Sequence, residues 1–172
     1  ESRLLASGLK LNGEMLWELK DDQVQLSLDG KHGHIGQMRR LALTLAGNQV
    51  EVQDVFQVLE QGYVPDFQVL VQGKGWEAMA DFRNWFVQGR INKGQIFIPE
   101  VNLRLKQTRA EAIIKDEILE ARDIVAFYGQ TEVQNGSFDL DMSDESLLLR
   151  VNTDLLVDLA QLPAMLENVI AD

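Results

Sequence analysis

Two histidines, His32 and His34, are the first residues whose type and spacing suggest chemistry. Alternate residues of an extended segment face the same way, so both imidazoles could approach one metal ion. A zinc site needs at least three protein ligands, and the chain has no third histidine and no cysteine. We therefore interpret the segment 31–36, KHGHIG, as a glycine-rich loop and predict no metal site.

An acidic string, DLDMSDE, covers residues 139–145 and resembles a calcium-binding loop in composition. An EF-hand loop places Gly at its sixth position and Glu at its twelfth. Counted from Asp139, those positions hold Asp144 and Arg150. The pattern fails, so we predict a solvated strand face, and an irregular, weak calcium site is the alternative left open.

Other polar pairs give no catalytic site. The pairs Asp21-Asp22 and Asp116-Glu117 lie where turns are expected between apolar runs. The Gly-Lys segments lack the Ser or Thr and the strand–helix context of a phosphate-binding loop. Asn135-Gly136-Ser137 matches a glycosylation sequon, but Asn-Gly is also the typical pair of a tight hairpin turn. We therefore predict no catalytic residue, no cofactor and no enzymatic activity.

Composition excludes several partners. The chain has 172 residues and a net charge of −11, from 16 basic and 27 acidic residues, so nucleic acid is a poor partner. No apolar run is long enough to span a bilayer, and no signal-peptide pattern is present. The chain starts at Glu1 without a methionine, so we expect a single β-rich domain (1–172) or a segment of a larger repetitive protein.

Strict alternation of apolar and polar residues dominates the chain and predicts β-strands. In the stretch 129–151, the side chains of Phe138, Leu140 and Met142 share one face, and Asn135-Gly136 predicts a hairpin turn before them. The run at 41–45 alternates in the same way, and 118–128 predicts a longer strand. Turn signals about every ten residues indicate a mainly β, antiparallel meander of about ten strands.

Helical spacing occurs twice, at about 76–88 and about 158–170, and predicts two short amphipathic helices. Trp76 and Trp85 lie on the first, and Trp17 on an early strand. These rings suit either core packing or the end of an apolar groove. Each helix follows an alternating strand, which suggests a weak repeat with halves 1–88 and 89–172.

The apolar face of so many strands needs a cover. Two helices of about a dozen residues cannot cover ten strands that are each about 17 Å long. The curved sheet must therefore close into a flattened barrel, form a sandwich, or remain an open groove that holds something apolar. Alternation alone is compatible with all three.

The stretch 65–170 resembles the AsmA-like proteins of bacterial envelopes. The similar features are G-x-I-x-x-G-x-I-x-I-P over 89–99, V-x-L-x-L over 101–105 and A-x-x-G over 126–129. They continue as G-x-F-x-L-x-M over 136–142 and D-L-A-x-L-P-x-x-L over 158–166.

The resemblance implies a non-catalytic segment of a long β-groove that carries phospholipid acyl chains toward the outer membrane. It implies a periplasmic location, an inner-membrane anchor outside this chain, and neighbouring segments of the same polypeptide as partners. Unpaired edges of such a segment favour edge-to-edge self-association. The alternative is a closed sandwich that acts as an interaction or scaffold module with a dry core. The residues expected to line the groove are Phe67, Val69, Val71, Ile96, Ile98, Leu103, Leu105, Phe138 and Leu140.

Overall fold

The structure, a computed structural model, describes residues 8–46, 50–98, 102–129, 131–143 and 148–156. Within these ranges, eight strands form one antiparallel sheet in sequence order, and the sheet is not closed into a barrel. This confirms the predicted antiparallel meander. The strands are β1 (Lys10–Glu18), β2 (Gln23–His34), β3 (Leu59–Lys74), β4 (Trp85–Ile98), β5 (Leu103–Lys115), β6 (Ile118–Tyr128), β7 (Thr131–Asp141) and β8 (Leu148–Leu156).

A helical insert connects β2 to β3. It consists of α1 (Ile35–Ala46) and α2 (Val50–Val58), so the strand predicted over 41–45 is wrong. The run LALTL alternates, but Leu41 and Ala42 also continue a helical spacing that starts at Ile35 and Met38. Burial against the sheet decides between the two periods, because tertiary packing overrides a short local pattern.

The predicted helix at 76–88 is also wrong over most of its length. The structure has one helical turn, α3 (Glu77–Ala80), and a 3-10 turn at Phe82–Asn84, and β4 starts at Trp85. Asp81 interrupts the helix with an extended backbone (φ −91°, ψ 112°), and its carboxylate accepts a hydrogen bond from the backbone N–H of Arg83. The helix predicted at 158–170 lies outside the described residues.

Asn135-Gly136 does not form a hairpin turn. Strand β7 runs through both residues, and the prediction of a turn there is wrong. Asn135 does have the positive φ that the pair favours, 49°, but it lies where the pairing of β7 with its neighbours shifts register. The pair therefore forms a β-bulge, which needs the same left-handed backbone as a tight turn.

Similar bulges recur in neighbouring strands. Register shifts interrupt every pairing from β3–β4 to β7–β8. Left-handed backbones occur at Lys93 in β4, Gln107 in β5 and Asp123 in β6, with φ between 52° and 55°. His32 in β2 also has a positive φ, 60°, but the register of β2 with β3 does not shift there. Each bulge bends its strand and increases the local twist. A line of bulges across the sheet therefore folds it in the same place on successive strands.

No helix in the described ranges has the length and apolar character needed to cross a bilayer. The proposed division of the chain into halves falls between residues 88 and 89, within β4.

Candidate functional site

Apolar side chains form continuous rows across one face of the sheet, which we call the inner face. One line of directly paired positions, with one residue from each of the eight strands, contains only apolar residues and glycine. This first row is Leu11, Gly30, Phe67, Gly89, Ala112, Ala121, Phe138 and Val151. A second row runs beside it over seven strands: Gly13, Leu28, Val69, Val87, Ile114, Leu119 and Leu140. The sequence alternation thus produces one apolar surface that runs perpendicular to the strands.

Glycines in the first row make room for aromatic rings. A Cβ on Gly30 would lie 2.0 Å from two ring carbons of Phe67, so the ring lies directly over the glycine backbone. Phe67 is itself buried, and its pairing partner in β4 is Gly89. The Phe67 ring therefore occupies the space that a side chain at position 30 would need.

The nine residues predicted to line a groove all lie in, or pack against, one apolar cluster. Eight of them are buried, with Val71 at 0% exposure and Ile96 and Leu140 at 1%. Leu103 is partly buried and packs against the same cluster. The structure therefore brings the nine residues together on a protein-covered surface.

The helical insert covers the inner face over β2, β3 and β4. Helix α1 packs on β2 and β3, and α2 packs on β3 and β4. Val52 and Val55 of α2 are buried, and Met38 of α1 packs against the same cluster. Sequence interpretation missed this insert, although Val52, Val55, Phe56 and Leu59 follow the i, i+3, i+4, i+7 spacing of a helix.

Two small apolar cavities lie between the insert and the sheet. One has a volume of about 70 Å³ and is bounded by Leu41, Phe56 and Trp85 among others. The other, of about 90 Å³, lies beside Ile35, Phe67 and Leu119. Val87 and Ile114 line both. An apolar cavity of about 150 Å³ holds one benzene, so neither cavity has room for an acyl chain in this arrangement.

Both edges of the inner face are open to solvent. In β1, Leu11, Met15 and Trp17 are exposed to between 44% and 50%. At the other edge, Val151 of β8 is 54% exposed. The apolar rows therefore extend beyond the part of the sheet that the insert covers.

The three tryptophans divide between core and surface. Trp85 is buried, and its indole N–H donates to the backbone carbonyl of Met79 at 3.1 Å. Trp17 and Trp76 are exposed and pack edge to face, with ring centroids 6.0 Å apart. The core interpretation thus fits Trp85, whereas Trp17 and Trp76 form an aromatic pair at one end of the edge strand.

The opposite face, the outer face, carries charges that alternate in sign from strand to strand. Lys31, Asp66, Arg90, Glu111 and Arg122 follow one another across β2 to β6. The hydrogen bonds from Arg90 hold the pKa of the Asp66 carboxyl below its ordinary value. Along this line of five residues, each charge therefore lies next to a charge of opposite sign.

The two histidines lie in β2 and at its end, and the predicted 31–36 loop is wrong. His32 Nδ1 is 2.7 Å from Tyr63 Oη, and the ring of His34 lies 5.5 Å from that of Tyr63. Within the described ranges, no cluster of three or more His, Cys, Asp or Glu side chains could hold a metal ion. The pair is explained by its contacts with Tyr63.

The acidic residues of β7 face away from the apolar rows. Asp139 Oδ1 is 3.2 Å from an Arg122 nitrogen, and Asp141 accepts hydrogen bonds from the backbone N–H and the hydroxyl of Ser143. The pKa of Asp141 is lowered chiefly by the bond from that hydroxyl. These partners account for both carboxylates as part of the outer face.

No family model matches the chain, and neither the curated proteins nor the solved structures contain a significant match.

Proposed function

We propose that the chain is a non-catalytic segment of an AsmA-like envelope protein. Its inner face would bind lipid acyl chains and support phospholipid transport and outer-membrane assembly. The observation that carries the proposal is the first apolar row, which crosses all eight strands and ends in exposed Leu11 and Val151. A sheet that only needed a core would be expected to end its apolar face under a cover, because exposed apolar surface is costly.

The dimensions of the inner face suit an acyl chain. Strands in a sheet lie about 4.8 Å apart, so eight strands span about 34 Å. One leaflet of a bilayer core is about 15 Å thick, half of the usual 30 Å. An acyl chain laid along the rows would therefore contact about three strands, and each buried CH₂ would contribute about 0.8 kcal/mol.

The helical insert has to move for an acyl chain to reach the inner face over β2, β3 and β4. The cavities beneath it, of about 70 and 90 Å³, are too small for the ligand. The insert is a separate excursion between β2 and β3, so it can leave without breaking a strand pairing. In this proposal α1 and α2 cover the apolar surface when no lipid is bound.

The location follows from the same proposal. A segment of this kind would lie in the periplasm and be held to the inner membrane by a part of the protein outside this chain. The net charge of −11 disfavours binding to an anionic membrane surface, so we expect lipid to enter the inner face by its chains, with the headgroup left in water.

The alternative function is an interaction or scaffold module with a dry core. It is favoured by one observation: the inner face around Val71 is packed so closely that Val71 has no exposed surface. The two proposals differ in whether the insert ever leaves the sheet.

Native mass spectrometry of protein purified from bacteria separates the two. We expect co-purified phospholipid, and we expect Met15→Asp to reduce it severalfold, because Met15 lies on the inner face at the open edge. Leu16→Asp is the matched control, since Leu16 is the next residue, has similar exposure and faces the other side. Lipid-free protein that also ignores hydrophobic dyes, or equal losses in both variants, would exclude the lipid proposal.

A further inference from the structure

The two edge strands carry complementary side chains. Each edge strand has nine residues, and within the described part of the chain β1 pairs with β2 and β8 with β7. All residues of β1 are exposed, and so are Leu148, Arg150, Asn152 and Asp154 of β8. Long exposed edges that contain no proline are templates for pairing with another strand.

A single antiparallel register matches the outer-face residues of β1 to those of β8. It places Lys10 opposite Asp154, Asn12 opposite Asn152, Glu14 opposite Arg150 and Leu16 opposite Leu148. The two residues of each charged pair, Lys10–Asp154 and Glu14–Arg150, carry opposite charges. Leu16 and Leu148 are each about half exposed in the single chain. Shifting the register by two residues in either direction separates both ion pairs and both leucines. Opposite charges and apolar pairs directly across two strands are the pairings that stabilise sheets.

The same register also determines which inner-face residues meet. Side chains of directly opposed residues lie on one face, so Val151 would lie opposite Gly13, and Thr153 opposite Leu11. Val151, at one end of the first row, would then meet Gly13 of the second row, whereas Leu11 would lie opposite the polar Thr153. In β1 itself, Lys10 lies opposite Lys31, a like-charge pair that a carboxylate on its free side would compensate.

We propose that β8 of one copy of this chain pairs with β1 of a second copy, in the register Glu14–Arg150. The contact is heterologous, so each dimer keeps one free β1 and one free β8, and association continues as an open series. This inference rests on the edge strands alone and is independent of lipid binding.

Sedimentation velocity of the full 172-residue chain over a range of concentrations tests the proposal. We expect the mass to rise in steps above 19.4 kDa as the concentration increases. Glu14→Lys and Arg150→Glu should each weaken association about tenfold, because a favourable cross-strand pair becomes a repulsive one. The double variant E14K/R150E should restore it. Glu18→Lys is the matched control, since Glu18 lies on the same face of β1 but beyond the end of β8 in this register.

Cysteine cross-linking tests the direction of pairing, and the chain contains no cysteine of its own. An oxidised mixture of L16C and L148C proteins should give a cross-linked dimer, and either protein alone should not. A mixture of N12C and L148C is the control with displaced register. The proposal is overturned by a mass that stays at 19.4 kDa up to the solubility limit. It is equally overturned if E18K weakens association as much as E14K, or if L16C protein cross-links to itself.

Discussion

Placing a carboxylate at Val71 measures whether the inner face around this residue is dry. Val71 has 0% exposure and pairs with Leu26 and Trp85 across the neighbouring strands. Val71→Asp loses about 1.5–3 kcal/mol of apolar burial and adds the cost of an unpaired carboxylate in an apolar site, at least several kcal/mol. Because a domain has about 5–15 kcal/mol of stability in total, we expect most of the variant to be unfolded at neutral pH.

Urea unfolding, followed by tryptophan fluorescence and far-UV circular dichroism, provides the measurement. Gln72→Asp is the control, since Gln72 is the next residue, is exposed, and lies opposite Gln25 on the other face; its cost should stay within about 1 kcal/mol. Burial would raise the folded-state pKa of the introduced carboxyl. The Val71→Asp variant should therefore be most stable below the unfolded pKa of about 3.9 and lose stability as the pH rises. Equal unfolding midpoints for the two variants would refute a dry interior and indicate a hydrated groove.

Two further predictions test the packing and the outer face. Gly30→Ala should destabilise the chain by about 1–3 kcal/mol, because the new methyl displaces the Phe67 ring. Gly36→Ala, in α1 with no atom near the added carbon, should instead stabilise the chain by about 0.5–1 kcal/mol. Thermal denaturation measures the stability of both variants. A loss below about 0.5 kcal/mol in Gly30→Ala would contradict the prediction for Gly30. The pKa of Asp66 is lowered by its hydrogen bonds from Arg90, so the pair stabilises the fold above the unfolded pKa of Asp and ceases to do so as the pH falls. Arg90→Gln should therefore reduce the loss of stability on acidification, and an unchanged acid-unfolding profile would contradict this.

Strand alternation predicted the sheet because it is a repeated and local signal. The strand predicted at 118–128 coincides with β6, and the residues assigned to the inner face pack in one cluster. In a meander each strand pairs with its neighbours in sequence, so correct faces and turn spacing are enough to give the topology.

The insert and the bulges could not be predicted in the same way. The run from Leu41 to Leu45 fits both a period of two and a period of 3.6, and only burial beneath a tertiary contact separates them. Asn135-Gly136 signals a left-handed backbone, which a hairpin turn and a bulge share. The choice between these depends on whether β6 and β8 continue past the pair, and such pairing partners lie outside any local window.

For the candidate site too, the local sequence predicted which residues face inward, and contacts distant in sequence determine what covers them. Alternation identified Phe67, Val69 and Phe138 as inner-face residues, but it could not show that helices from between β2 and β3 would pack on β2, β3 and β4. In a barrel, closure fixes the number of strands, whereas an open sheet can accept further strands at its edges. In the two proposals made above, the inner face is extended by pairing at its edges and opened by displacing its cover. Both changes leave the seven internal strand pairings intact, so lipid access and self-association can be tested by variants at Met15 and Glu14 that leave the fold in place.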